Sequence, residues 1–406
     1  MTNSPDREIN RREFIGRTAL GVAAGAAAGA VSLALGPRLL RGDVDPSADS
    51  TPPQVADHTL SVITGNARER GRQYARDFSD AIRSFVEREI YQPFISEKQT
   101  KEDTLRYAGA CAKEVKAFAP TVHDELEGIA EGTGLTLDEV TLITLHEELW
   151  HRGVLPPTPH CTAIAAGPPD TNDGSTYVGQ TWDWMPSVYG LSSMLLWRRP
   201  EDEGPSVLAY SYPGLWTGAG MNSAGVALCW TSGPDEGSAG PRVGIPSYVL
   251  IAQMLYQPTL EAALAEAKRA KQAGWFTFVL ADGEGNLANA EGSPKDSACE
   301  TGRGHLARAY FGSRKMTGTA EGQAVQYHPR CRRMYELLDG KKGRLDRAAL
   351  QGLFGTHGSE GKEAICVHPN TLDAMLFDCT CREAWVTRGP ACSGRWKRFG
   401  FDDAGA

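Results

Sequence analysis

Hydrophobic and polar positions follow two different rhythms along this chain, and the change falls near Cys161. Between residues 66 and 152 the apolar positions recur every three to four residues. In ARERGRQYARDFSDAIRSFVEREI they place Tyr74, Phe78, Ile82 and Phe85 on one face, the mark of an amphipathic helix. The spacing predicts successive helices, with Asp138 capping one that runs through Leu142, Leu145 and Leu149. Gly153 and the prolines 156, 157 and 159 end that regime, because proline lacks the amide that a helix interior needs.

Beyond the prolines the runs shorten and turn residues separate them. CTAIAAG, TYVGQTWDW, SMLLWRR, SVLAYSY, GVALCWTS, WFTFVLAD, LANAEG and AMLFDC followed by EAWVTRG have strand length and strand composition. Turn formers such as Asn172-Asp173-Gly174 and Asp282-Gly283-Glu284-Gly285 divide them, and Asn222 with Gly225 suits a hairpin. Helical patches return at 246–256, 259–273 and 330–338. Strands joined by turns, with helices in blocks, predict an α+β fold of antiparallel sheets covered by helices.

The chain has 406 residues, 41% of them hydrophobic, enough for a large core in one domain or two. Its net charge of -8 argues against nucleic acid as a partner, since phosphate binding needs clustered Lys and Arg. Arg330, Arg332 and Arg333 read as a solvated helix face. There is no P-loop, and the glycines of 214–225 lack the strand–GxGxxG–helix order of a dinucleotide site, so no cofactor is expected.

The first residues read as an address. Arg11 and Arg12 precede an uncharged, Ala- and Gly-rich stretch at 19–36, the pattern of a twin-arginine export signal over 1–40. A linker at 41–58 follows. The expectation is a periplasmic or extracellular protein, tethered to a membrane only if the signal is retained. Nine cysteines suit such a compartment, where some can pair. Cys379-x-Cys381 with Cys392 nearby is a weak metal signal, and structural thiols or disulfides are favoured over a metal site there.

The candidate chemistry centres on Cys161. A cysteine alone is as readily a small buried hydrophobe. Here it opens a strand after a proline-rich loop, and breaking the His160–Cys161 peptide bond would place a free α-amine on the residue that carries the thiol. One residue then supplies nucleophile and base. About twenty residues on, Trp182-Asp183-Trp184 sets a carboxylate between two indoles. Hairpin pairing would bring Asp183 to the thiol and amine, with the indoles walling an apolar acyl pocket. The expectation is that one of Trp182 and Trp184 lines the pocket while the other joins the core. A rival base is histidine, at His160, His305, His328, His357 or His368, as in papain-like thiol hydrolases, but the cysteine-flanking motif of those enzymes is missing.

Over residues 59–401 the chain resembles the acyl-coenzyme A:isopenicillin N acyltransferase family of N-terminal nucleophile (Ntn) hydrolases. The likeness is carried by His160-Cys161-Thr162, by Gly179-Gln180-Thr181-Trp182-Asp183-Trp184 against the family's Gly-Gln-Asn-Trp-Asp-Trp, by Gly220-Met221-Asn222-Ser223-Ala224-Gly225, by Ala281-Asp282 with Glu291, and by Ile365-Cys366 with His368-Pro369. It implies a four-layer αββα sandwich and self-cleavage into a helical segment, 59–160, and a catalytic segment, 161–406, that stay associated. It also implies hydrolysis or transfer of an acyl amide or thioester. Cys161 matches the nucleophile, Asp183 the motif aspartate, and Thr181, Trp182 and Trp184 line the substrate side. The family's oxyanion-binding Asn, in Thr-Asn-His-Phe, appears here as Arg308 in Ala307-Arg308-Ala309-Tyr310. A guanidinium can donate to an oxyanion; the change also suits a protein that keeps the fold as a non-catalytic binder.

Intact mass spectrometry of the purified protein should show two pieces divided before Cys161, and a single chain for Cys161→Ala. An uncut wild-type chain after prolonged incubation would refute self-cleavage.

Overall fold

The computed structural model describes residues 56–150, 161–232, 242–295, 297–309, 328–359 and 361–403. His160, the export signal and most of the linker lie outside them. In chain order the helical segment opens with a short strand, β1 (Leu60–Ile63), which was not predicted because four residues carry too little periodicity. Helices α1 (Ala67–Phe85), α2 (Lys101–Phe118), α3 (Pro120–Thr133), α4 (Leu137–Thr144) and α5 (His146–Trp150) follow. Tyr74, Ile82 and Phe85 are buried as their spacing requires. α4 begins two residues earlier than predicted: Thr136 caps it in a reciprocal box with Glu139, and Asp138 sits inside the first turn.

The remaining elements are β2 (Thr162–Ala166), β3 (Tyr177–Asp183), β4 (Ser193–Trp197), β5 (Val207–Tyr212), β6 (Leu215–Asn222), β7 (Ala227–Ser232), α6 (Ser247–Leu255), α7 (Leu260–Arg269), β8 (Phe276–Ala281), β9 (Leu287–Gly292), β10 (Ser297–Gly302), β11 (His305–Ala309), α8 (Pro329–Asp339), α9 (Arg347–Phe354), β12 (Thr371–Asp378), β13 (Glu383–Thr387) and β14 (Trp396–Gly400). The glycine run that hid β6 is needed for close strand approach. A Cβ at Gly220 would stand 2.8 Å from the Leu208 carbonyl oxygen.

Two sheets result, one ordered β1-β4-β5-β6-β7-β8-β9-β10 and the other β11-β2-β3-β12-β13-β14. Every pairing within them is antiparallel except that of β1 with β4, which is parallel. β2 and β3 stack on β7 and β8 across the interface between the sheets, α8 and α9 cover the outer face of the smaller sheet, and α6 and α7 cover the larger. This is an αββα sandwich. Strand alternation divides the core: Ala163, Ala165, Val178 and Trp182 join the inter-sheet layer, while Ile164, Ala166 and Tyr177 pack under α8 and α9. Among the described residues no helix is long and apolar enough to cross a membrane.

The helical segment is not a separate lobe; residues 52–406 form one compact unit. α1 crosses α3 so closely that a Cβ at Gly71 would fall 2.1 Å from the Glu125 carbonyl oxygen. Beside that crossing Arg70, fully buried, pairs with Glu125 at 2.8 Å and with Glu203 at 2.7 Å. Trp197 and Tyr256 also donate to the Glu125 carboxylate, at 2.9 and 2.7 Å. One buried carboxylate thus ties α1 and α3 to β4 and to the end of α6. Glu125→Ala should cost about 3 kcal/mol in denaturant unfolding, because it leaves buried Arg70 with Glu203 as its remaining carboxylate and strips the Trp197 and Tyr256 donors of their acceptor; a loss under about 1 kcal/mol would show that the cluster is not holding these layers.

Candidate active site

Cys161 stands immediately before β2, and the register of β2 on β3, Thr162 opposite Thr181, brings it to the end of the Trp-Asp-Trp strand. The Thr162 amide donates to Thr181 Oγ1 at 3.2 Å, so Thr181, fully buried, braces the two strands at that end. Cys161 is 8% exposed, and its Sγ lies 3.9 Å from the Asp183 carbonyl oxygen. Burial pushes the thiol well above its ordinary range; the Asp183 charge adds to this, and the Arg330 guanidinium pulls the other way.

The Asp183 carboxylate is fully buried. Arg330 Nη2 lies 2.6 Å from one oxygen and the Thr371 hydroxyl donates to the other at 2.7 Å. Burial pushes this carboxyl up, while the guanidinium and the hydroxyl hold it toward the ionised form. Arg330 is fixed in turn: its Nε donates to the Ala364 carbonyl at 3.0 Å and its Nη2 to the Ile365 carbonyl. The Val367 amide donates to the Thr371 hydroxyl at 2.8 Å, and the Thr371 amide to the Val367 carbonyl at 2.7 Å. The expectation of a solvated helix face fails for Arg330. It lies in the first turn of α8, where that helix meets the outer side of the β2–β3 sheet, and is only 6% exposed.

The expectation that one of Trp182 and Trp184 turns away from the pocket fails, because residues two apart on a strand share a face, and both indoles join the same core layer. β3 ends at Asp183, and the Trp184 amide donates to the Asn370 carbonyl. Both indoles line a cavity of about 10 Å³, with Phe85, His146, Glu147, Tyr212 and Tyr248 among its other walls. That is space for about one water molecule. The Trp182 Nε1 donor is buried with no hydrogen-bond partner among the described residues.

Arg308 lies on β11 opposite Ala163, two residues along from Cys161. Its Nη1 donates to the Ala307 carbonyl at 2.6 Å and to the Tyr335 hydroxyl at 2.9 Å, with Glu300 at 3.6 Å and Glu291 at 3.9 Å. Arg330, rather than Arg308, is the guanidinium at Asp183. The rival histidines are engaged elsewhere: His305 pairs with Asp170 at 2.7 Å, His328 caps α8, and the rings of His357 and His368 meet edge to face.

A buried acidic pair went unnoticed in the sequence. Glu147 and Glu148 sit on α5, the last described element before Cys161. Tyr248 Oη donates to Glu147 at 3.3 Å, and the Ser247 amide donates to Glu148 at 2.7 Å. Burial raises both carboxyls to about 8, the Glu148 charge contributing to the rise of Glu147. Burial lowers neighbouring His146 to about 4, keeping it neutral. Two adjacent acids in HEELW, within an otherwise apolar helix end, were the available signal.

Unfolded glutamates release their protons near ~4.3, whereas this pair keeps them to about 8, so the folded chain binds more protons between those values. Stability contributed by the pair is therefore full below the unfolded value and is lost as pH rises to about 8. Replacing both by Gln should stabilise the protein at pH ~8.5 by on the order of a few kcal/mol and leave it unchanged near pH ~4. Equal melting shifts at the two pH values in calorimetry would show that the acids are ionised in the fold.

No curated protein matches the chain. Among solved structures, a variant of the conjugated bile acid hydrolase from Clostridium perfringens is 13% identical, with a TM-score of 0.41 over 59% of this chain and 97% of that one. Penicillin V acylase from Agrobacterium tumefaciens is 13% identical, with a TM-score of 0.37 over 59% and 86%. Residues 170–390 match the family described as acyl-coenzyme A:6-aminopenicillanic acid acyl-transferase, a span that contains Asp183, Arg308, Arg330 and Thr371 and begins after Cys161. Since that span is more than half of the sequence, the chain belongs to the acyl-coenzyme A:6-aminopenicillanic acid acyl-transferase family.

Proposed function

We propose that this protein is an exported cysteine amidohydrolase or acyltransferase, activated when the bond between His160 and Cys161 is broken and acting on acyl amides or thioesters with an apolar acyl group. The observation that carries the proposal is the position of Cys161: its thiol and backbone nitrogen lie at the end of β3, beside a sealed Asp183–Arg330 pair. In the unbroken chain no Lys amine lies beside the thiol among the described residues, and burial keeps it protonated. Cleavage supplies the missing base as the α-amine of the same residue, whose reference pKa of ~7.7–8.0 suits proton transfer near neutrality.

The thiol proton passes to this amine as sulfur attacks the acyl carbonyl. The tetrahedral oxyanion collapses, the leaving amine takes the proton from the α-ammonium, and an acyl-thioester remains on Cys161. Water then completes hydrolysis, or an acceptor amine completes transfer. Asp183, held by Arg330 and Thr371, orients the α-amine electrostatically. Arg308 Nη1 is engaged by Tyr335 and the Ala307 carbonyl, whereas the Trp182 Nε1–H has no partner among the described residues and its indole lines the cavity. Trp182 is therefore the better placed donor, with Trp184 and Thr181 shaping the wall. A cavity of about 10 Å³ admits no acyl chain, so binding requires its aromatic walls to separate. The two pieces stay together as a heterodimer because they share one core.

A screen of N-acyl amino acids, penicillins and acyl-homoserine lactones should find turnover that Cys161→Ala abolishes. Asp183→Asn and Arg330→Gln should each lower kcat by roughly a hundred- to thousandfold with modest change in KM. Undiminished turnover in Cys161→Ala would overturn the assignment, and a cleaved but inert wild type across the screen would point to a protein that keeps the fold for binding.

A further inference from the structure

Four side chains with ligating atoms converge outside the catalytic groups. His357 follows α9, Cys366 and His368 precede β12, and Cys392 lies between β13 and β14; one ligand atom from each lies within 4.8 Å of all the others. Cys366 Sγ is 3.5 Å from Cys392 Sγ and 3.8 Å from His368 Nε2, and His368 Nε2 is 3.0 Å from Cys392 Sγ. A tetrahedral zinc ion, with Zn–S near ~2.3 Å and Zn–N near ~2.0–2.1 Å, spaces its ligands roughly 3.3–3.8 Å apart. Two of the three separations, 3.5 and 3.8 Å, fall in that range and the third, 3.0 Å, lies just below it.

We propose that His357, Cys366, His368 and Cys392 form a Cys2His2 site for a structural zinc ion. Two thiolates neutralise the dication, and four protein ligands close its shell, which leaves no position for substrate. A disulfide between Cys366 and Cys392 is the competing chemistry. It needs sulfurs ~2.05 Å apart and gives the two imidazoles no role. The cluster assembles from three separated pieces of chain. Hence the Cys379-x-Cys381 spacing, which drew attention in the sequence, pointed to the wrong partners of Cys392: Cys379 is buried against the Ala281 carbonyl instead.

The site also has a structural consequence for the Asp183–Arg330 pair. Ala364 and Ile365 accept from Arg330, and Val367 clasps Thr371, whose hydroxyl holds Asp183. Cys366 and His368 are interleaved with these residues. Zinc would therefore pin the segment that fixes the buried pair, acting as a scaffold independent of any turnover.

Elemental analysis of tag-free, full-length protein should give about one zinc per chain, falling at least tenfold in Cys392→Ser and in His357→Ala, whose ring is exposed and cheap to remove. Cobalt exchanged into the wild type should show a tetrahedral thiolate spectrum, a readout that does not require the variants to fold. Chelation should speed amide exchange across 364–371 while β5 and β6 stay protected. Metal-free wild type with a Cys366–Cys392 disulfide in peptide maps would overturn the proposal, as would zinc retained in both variants.

Discussion

A buried charge must be answered where it sits, and at the centre of this molecule that obligation falls on Asp183. Its carboxylate has no access to water, so the interior supplies a guanidinium and a hydroxyl in place of hydration. Those partners come from α8 and the start of β12, and Arg330 is itself held by carbonyls of the chain before β12. Three elements far apart in sequence must therefore arrive together before the end of β3 is stable. Cys161 inherits its position from that requirement, since β2 is registered on β3.

The layering could be read from the sequence because periodicity reports burial. The predicted strands CTAIAAG, TYVGQTWDW, SMLLWRR, SVLAYSY, GVALCWTS, WFTFVLAD and LANAEG each contain an observed strand, and the helical patch at 330–338 became α8. Elements were missed where composition conceals the rhythm. β1 is four residues long, β6 is glycine-rich so that strands can approach, and β10 is polar and largely exposed at a sheet edge.

The site was legible only as far as its chemistry lay in one stretch of chain. Cys161, Thr181, Trp182, Asp183 and Trp184 meet because a hairpin-like pairing is local enough to infer. Arg330 was misassigned because a basic triplet at a helix start looks the same in sequence whether it faces water or a carboxylate across the sheet. Glu147 and Glu148 are ambiguous in the same way: an apolar helix end around two acids hints at burial but does not fix it, and both are buried. Tertiary placement, not residue type, sets their protonation.

The parallel pairing of β1 along β4 carries a further consequence. β4 reads SMLLW and is almost entirely buried, with β1 covering the side that β5 leaves open. Expressed alone, a polypeptide beginning at Cys161 would bare an apolar row of unsatisfied amides and carbonyls, a template that a neighbouring molecule can extend. Solubility of the larger segment thus depends on four residues near the opposite end of the chain.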